Sequence, residues 1–510
     1  MLRRPPARCA ALVPLACLLI CSVASADGNL KKVNHIIIVM QENHSFDNYF
    51  GALTYAPGSP YHNGSPACAS TDHQCVDGLR CNVTAGVFTC ANANLDNNGS
   101  IVHAFKATAR CVIPDLDHEW VGSHHEINFA NPNASLSNPL NNGFVRQNDL
   151  TEQVDNGENA TDDQTMSFYD QDDLPFYYEL AQTFAISDRQ FSSLVGPTFP
   201  NRSYFMAATS FGHVTTSDSI PPLVGYRPIT GTIFDKLIGH GISWADYYED
   251  VPQDSSFRPY DSIHNLPLAA FIQQAGGVGT LPHIAFVDPN FGTLGTASED
   301  DEHPPTDIQR GQYHVSNIIN AVRNGPHWAD SIIFVLYDEH GGFYDHVRPP
   351  RAPQGGTRTP DGVFPGQCED LSLPPFSTQP GGGAECSWNF QSRTDTSLAD
   401  AEALCPALAS NPRGPFPTSC AAFDQLGVRV PLIAVSPFSK PAYVSHTVGD
   451  HTSLLRLIEK RFLSNSITTV HLTRRDAYAN DLEDLFDFDN SPSLAAPVGL
   501  AQPPADDCTP

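Results

Sequence analysis

Two apolar runs set the strongest limit on what this chain can fold into. Ile36-Ile37-Ile38-Val39-Met40 and Ile332-Ile333-Phe334-Val335-Leu336-Tyr337 are continuous, with no polar residue breaking either. A strand that is apolar on both sides has to be covered on both faces, and that is the situation of a parallel sheet packed between helices. The first run reads as a strand over Val33–Met40. Gly241–Tyr247, His283–Val287 and Val430–Val435 are further strand candidates, rich in aliphatic and aromatic residues and bounded by turn or polar residues. Helical candidates fall between them at Leu174–Phe184, Asn201–Thr209, Gln312–Asn324 and Thr452–Phe462. The last carries Leu454, Leu455 and Ile458 at helical spacing. Strands separated by helices predict the α/β class: a mainly parallel sheet with helices on both faces.

The chain has 510 residues, 41% of them hydrophobic and 16% charged, enough for a sizeable core. That length suits one large α/β domain with insertions, or about two to four units. Asp and Glu number 56 against 28 Lys and Arg, a net charge of −28. Such a chain has no bulk electrostatic attraction for nucleic acid or for an anionic membrane. Residues 1–26 read as a secretory signal: Arg3, Arg4 and Arg8, an apolar stretch from Ala10 to Ile20, then the small residues Ala24-Ser25-Ala26. Residues 27–510 are expected to be one catalytic domain, secreted or periplasmic. Of 13 cysteines, three lie in the leader and ten remain, in two polar, weakly periodic stretches and at Cys508. Residues 56–165 and 351–425 therefore read as disulfide-stapled, cap-like insertions. A zinc site is the alternative, although no Cys-x-x-Cys pair occurs.

In open α/β sheets, ligands gather beyond the carboxyl ends of the strands, so the residues following each strand carry the functional information. After Met40 comes Gln41-Glu42-Asn43-His44-Ser45-Phe46-Asp47. After Tyr337 comes Asp338-Glu339-His340-Gly341-Gly342. Carboxylates held together repel unless they are protonated or bridged by a cation. Glu42, Asn43, Asp338 and Glu339 therefore form a candidate ligand set for a hard divalent metal; the same residues also suit solvated strand ends or helix caps. Gly196-Pro197-Thr198-Phe199-Pro200-Asn201-Arg202 reads as a helix start, with Thr198 as its cap and Pro200 in its first turn. The alternative is that Thr198, at a helix N-terminus suited to phosphate and touching a metal, ionises and attacks phosphorus. His303 in Glu299-Asp300-Asp301-Glu302-His303-Pro304-Pro305 and His118 in Asp115-Leu116-Asp117-His118-Glu119-Trp120 each sit among acids that favour imidazolium. Imidazolium can bind a phosphoryl oxygen or protonate a leaving group.

Taken in order, these segments resemble the blocks of the bacterial phospholipase C / acid phosphatase family of phosphoesterases. The opening block is Val33 through Gly51. Gly196–Arg202, Glu302–Pro305, Tyr337–Val347 and Arg429–Phe438 follow, and the likeness runs from about Val33 to Phe462. The resemblance implies an alkaline-phosphatase-like three-layer α/β/α sandwich. It implies one divalent metal, its identity open among calcium, magnesium, manganese and zinc, held by Glu42, Asn43, Asp338 and Glu339. Thr198 would be nucleophile and further ligand, with His303 and His118 at the phosphoryl group or leaving oxygen. His44 stands where many relatives carry Arg, and Thr198 where acid-phosphatase members can carry Ser. The expected activity is hydrolysis of phospholipid diesters, phosphatidylcholine-like, to diacylglycerol and a phosphorylated head group; the alternative is an acid phosphatase acting on monoesters. Expected partners are a phospholipid or phosphate-ester substrate and transient contact with a membrane surface, with no nucleic acid, and the chain is expected to be a monomer.

Overall fold

A computed structural model describes residues 29–64, 67–111, 115–132, 139–156, 163–214, 216, 228, 230–257, 262–292, 299–352, 361, 423–464, 470–495 and 503. The expected leader and most of the expected 351–425 insertion lie outside these residues.

Eight strands form one sheet: β1 (His35–Gln41), β2 (Ala185–Ser187), β3 (Trp244–Tyr248), β4 (Asn265–Pro267), β5 (Ile284–Val287), β6 (Ser331–Tyr337), β7 (Leu432–Val435) and β8 (Tyr443–Ser445). Their order across the sheet is β4-β3-β5-β1-β6-β7-β2-β8. β1 lies parallel between β5 and β6, with Ile36 level with Ile284 on one side and Ile332 on the other. β7 runs antiparallel to both its neighbours. The strands expected from apolar runs are present, except that Gly241 closes the preceding helix in a left-handed conformation (φ 66°) and the strand begins at Trp244. The three-residue strand β2 and the edge strands β4 and β8 were not expected. They are too short to show a period.

Alternate residues of the central strands feed two separate cores. Ile37, Val39, Ile333 and Val335 pack on one face with helices α4 (Pro175–Thr183), α7 (Leu268–Ala275) and α8 (Ile308–Arg323). Ile36, Ile38, Ile332 and Phe334 pack on the other with α5 (Thr198–Ala207), α6 (Ile233–His240) and α9 (His451–Ile458). This is the three-layer α/β/α sandwich. Each buried Ile or Phe contributes about 1.5–3 kcal/mol, so unbroken apolar strands are what a sheet covered twice requires. α8 starts where the Asp307 carboxylate accepts the Gln309 N–H, and it buries Val315, Ile318, Ile319 and Val322 along one stripe.

Three further helices frame the edge beyond β1 and β6: α1 (Phe46–Phe50), α2 (Trp120–Ile127) and α3 (Phe144–Asn156). The first insertion is stapled as expected. Cys68 pairs with Cys75, and Cys81 with Cys90 across a hairpin of Cys81–Thr84 and Val87–Cys90.

Candidate active site

β1 and β6 are parallel neighbours, so the residues leaving them emerge side by side. The Asn43 N–H donates to Asp338 Oδ1 at 3.2 Å, and the Glu339 N–H donates to the same oxygen at 2.7 Å. Asn43 holds a left-handed backbone (φ 65°), as do Gly341 (φ 60°) and Gly342 (φ 71°). A Cβ on Gly341 would lie 2.1 Å from the Asn43 carbonyl oxygen. The two turns therefore interlock only with glycine at this position.

One charge at this junction was not assigned a role from sequence. Arg202, on α5, is fully buried; its Nη2 lies 3.0 Å from Glu42 Oε1 and its Nε donates to Asp338 Oδ2 at 2.8 Å. Nη2 also donates to the carbonyls of Met40 and Gln41, at 3.2 and 3.3 Å. Nothing in the sequence Asn201-Arg202-Ser203 distinguishes this arginine from a surface one. It offsets the charge of Glu42 and Asp338, while His340 Nδ1 lies 3.2 Å from Glu339 Oε2.

The residues present fit a hard divalent cation. Asn43 Oδ1 and Glu339 Oε1 are buried oxygens with no hydrogen-bond partner, and leaving such atoms unsatisfied is costly. Burial pushes Asp338 up to about 7; Arg202 opposes this, and the neighbouring carboxylates of Glu42 and Glu339 add to it. Burial also works against ionised Glu339, yet His118 and His340 outweigh it and hold that carboxyl below its ordinary value. Crowded oxygen donors and two orphaned buried oxygens are what a cation with oxygen ligands satisfies.

Thr198 is the first residue of α5, one turn before Arg202 on the same helix face. Pro197, not Thr198, is the N-cap, so the helix-cap reading of Thr198 does not hold. Thr198 is half-buried at the positive end of the helix dipole, while in the same turn the Phe199 N–H donates to Thr216 Oγ1 at 3.2 Å and Pro200 has no N–H to offer.

His118 and His303 come together from distant segments, their ring centroids 5.8 Å apart. His118 Nε2 lies 3.5 Å from Asn43 Nδ2, beside the strand ends. Asp115 faces both rings, 3.9 Å from His118 Nδ1 and 3.8 Å from His303 Nε2. Burial disfavours a charged His118, but Glu339 and Asp115 prevail and raise it to about 10. This imidazole is an imidazolium in the metal-free protein at neutral pH.

The His303 loop is fixed from beneath. Glu302, fully buried with φ 72°, accepts hydrogen bonds from the hydroxyls of Tyr49 (2.6 Å), Tyr177 (2.6 Å) and Tyr337 (2.5 Å). Its backbone carbonyl meets His44 Nε2 at 3.0 Å, while His44 Nδ1 meets Asn48 Oδ1 at 2.8 Å. Burial lowers His44 to about 3, so it is a neutral strut at neutral pH. The three tyrosines lie far apart in the chain, and this cage could not be read from it.

The Phosphoesterase family model matches residues 33–463, and the chain belongs to that family. It is a hydrolase acting on phosphoric esters. Curated relatives include Non-specific phospholipase C6 of Arabidopsis thaliana, 27% identical over 92% of this chain and 75% of the relative. Phospholipase C B of Mycobacterium tuberculosis is 28% identical over 92% of this chain and 80% of the relative. Phospholipase C A of the same organism is 28% identical over 95% and 84%. Among solved structures, murine ectonucleotide pyrophosphatase/phosphodiesterase 5 covers 62% of this chain and 95% of its own at 10% identity, with a TM-score of 0.32, a likeness too remote to inform the chemistry.

Proposed function

We propose that this chain is a secreted or periplasmic phospholipase C that cleaves phosphatidylcholine-like diesters to diacylglycerol and a phosphorylated head group. The observation that carries the reading is the junction of Glu42-Asn43 with Asp338-Glu339 around Arg202, in a chain of the phosphoesterase family with phospholipases C among its relatives. Two disulfides suit export, and no helix among the described residues is long and apolar enough to cross a membrane.

Glu42, Asn43, Asp338, Glu339 and the Thr198 hydroxyl would hold one divalent cation; when bound, it supplies positive charge that favours the Thr198 alkoxide and neutralises the phosphate. Thr198 gives up its hydroxyl proton to solvent, and Oγ1 attacks phosphorus in line. The bond to the glycerol oxygen breaks, and that oxygen leaves with a proton from His118 or His303. Water, giving one proton back to that imidazole, then cleaves the phosphothreonine, releasing the phosphorylated head group while Oγ1 regains a proton from solvent. The positive end of the α5 dipole favours the developing charge. Arg202 holds Glu42 and Asp338 in place, and Asp115 orients the two imidazoles.

The test is Thr198→Ala. Loss of a nucleophile that forms a covalent intermediate should lower kcat for phosphatidylcholine and for p-nitrophenyl phosphorylcholine by at least about 10³-fold. Near-normal turnover by the purified variant would refute the nucleophile assignment. A simple phosphomonoester assayed in parallel separates this reading from an acid phosphatase.

A further inference from the structure

A cavity lies behind the loop that leaves β6, and the proposed chemistry does not use it. It has a volume of about 460 Å³ and opens beside a hairpin of Ala93–Leu95 and Ile101–His103. Alternate residues of the chain following the Gly-Gly turn, Tyr344, His346 and Arg348, form one wall, and Arg146 of α3 joins them. His346 is already committed, 2.7 Å from Asp47 and 3.2 Å from Asp77. The two arginines have no carboxylate partner among the described residues, although the Arg146 guanidinium lies over the Phe129 ring, 5.3 Å from its centroid. Arg146 Nε also donates to the Asp96 carbonyl at 3.3 Å. Two arginines on one cavity with no carboxylate partner among the described residues stand out in a chain with twice as many acids as bases.

The rim is apolar. Leu95 and Ile101 are direct cross-strand partners, 39% and 63% exposed. On the opposite side of the same hairpin, Asn94 is buried and Val102 packs inward against the satellite core. The hairpin therefore spends its inward face on packing and presents two large aliphatic side chains to solvent, beside a cationic cavity.

We infer that this cavity and hairpin are an interfacial docking site for a phosphatidylcholine membrane: Arg146 and Arg348 take one lipid phosphate while Leu95 and Ile101 enter the interface. The inference deepens the phospholipase reading and rests on it, since it supplies the surface by which that enzyme reaches a bilayer. Three observations select the occupant. Guanidinium pairs complement a phosphodiester. A cavity of this size holds a head group rather than a whole lipid. The net charge of −28 opposes a strongly anionic surface, which leaves a zwitterionic one. Exposed aliphatic side chains next to a phosphate pocket are the pairing that partial insertion into such a surface uses.

The experiment is co-sedimentation with phosphatidylcholine vesicles, paired with turnover of water-soluble p-nitrophenyl phosphorylcholine. Leu95→Ser/Ile101→Ser should lower the vesicle partition coefficient about tenfold or more, with turnover of the soluble ester unchanged. Arg146→Gln/Arg348→Gln should lower it severalfold, and Ile101→Trp should raise it. The gain in the last variant keeps the test independent of misfolding. Vesicle binding that ignores all three variants overturns the site. Arginine-dependent binding of inorganic phosphate, with no hairpin-dependent binding of vesicles, overturns the membrane assignment in favour of a free-phosphate site. Failure to turn over any phosphocholine ester, with hairpin-dependent vesicle binding intact, defeats the proposed activity and leaves the docking site standing.

Discussion

Replacing Arg202 with Met tests the electrostatics of the strand-end junction most sharply. The side chains are similar in length, so little volume is lost, but two contacts of 3.0 and 2.8 Å to buried carboxylates disappear. Breaking a buried ion pair from one side costs about 3–5 kcal/mol, because the remaining charges are stranded. The cost depends on pH. In the metal-free protein Asp338 sits at about 7 against an ordinary value of 3.8. A carboxyl raised on folding contributes stability that is fully present below its unfolded value and is lost as pH rises through its folded value, here on the order of 4 kcal/mol across that window. At about pH 5 Asp338 is protonated in the folded metal-free protein, its pairing with Arg202 is already weakened, and the substitution should cost clearly less than at about pH 8. Urea unfolding followed by tryptophan fluorescence in chelator measures both. A divalent cation should narrow the gap at the higher pH, since it supplies the positive charge that Met removes. A loss below about 1 kcal/mol, or an equal loss at both pH values, would refute the reasoning.

Other outcomes follow from the same geometry. Gly341→Ala meets the Asn43 carbonyl at 2.1 Å in a left-handed backbone, so it should destabilise the fold by about 1–3 kcal/mol and weaken cation affinity; unchanged calorimetric binding would show that the turns do not need to interlock. His118→Gln and His303→Gln should each lower kcat by about 10²- to 10⁴-fold with diacylglycerol as the leaving group, and much less with p-nitrophenol, which leaves without a proton. Equal losses on both substrates would assign these residues to binding rather than proton transfer. Glu302→Gln should move the imidazole chemical shifts of His303 as seen by NMR, because it disturbs the tyrosine cage under that loop. An unmoved His303 signal would show that the cage supports only the core.

The parts of this fold that were legible are those in which each residue obeys a local rule. β1 and β6 are buried on both faces and so lack polar residues, and the groups just beyond them had to share an edge once the strands were neighbours. The meeting of Glu42-Asn43 with Asp338-Glu339 followed from that. Arg202 was not legible, because its partners come from two strands and nothing in α5 announces burial. The Glu302 cage was hidden for the same reason, with Tyr49, Tyr177 and Tyr337 brought together only by packing. The hairpins inside the first insertion went unread because short strands with one packed face show two or three alternations at most. Disulfide pairing among many cysteines also has no sequence solution. What a chain hides is the long-range polar contact, and the centre proposed here is made of such contacts.

The central claim is that one cation sits among Glu42, Asn43, Asp338 and Glu339. An anomalous difference map from crystals grown with manganese tests it directly. One strong peak is expected within about 2.0–2.6 Å of oxygens from these side chains, with the Thr198 hydroxyl beside it. No peak there, or a single peak held instead by Asp115, His118 and His303, would contradict it.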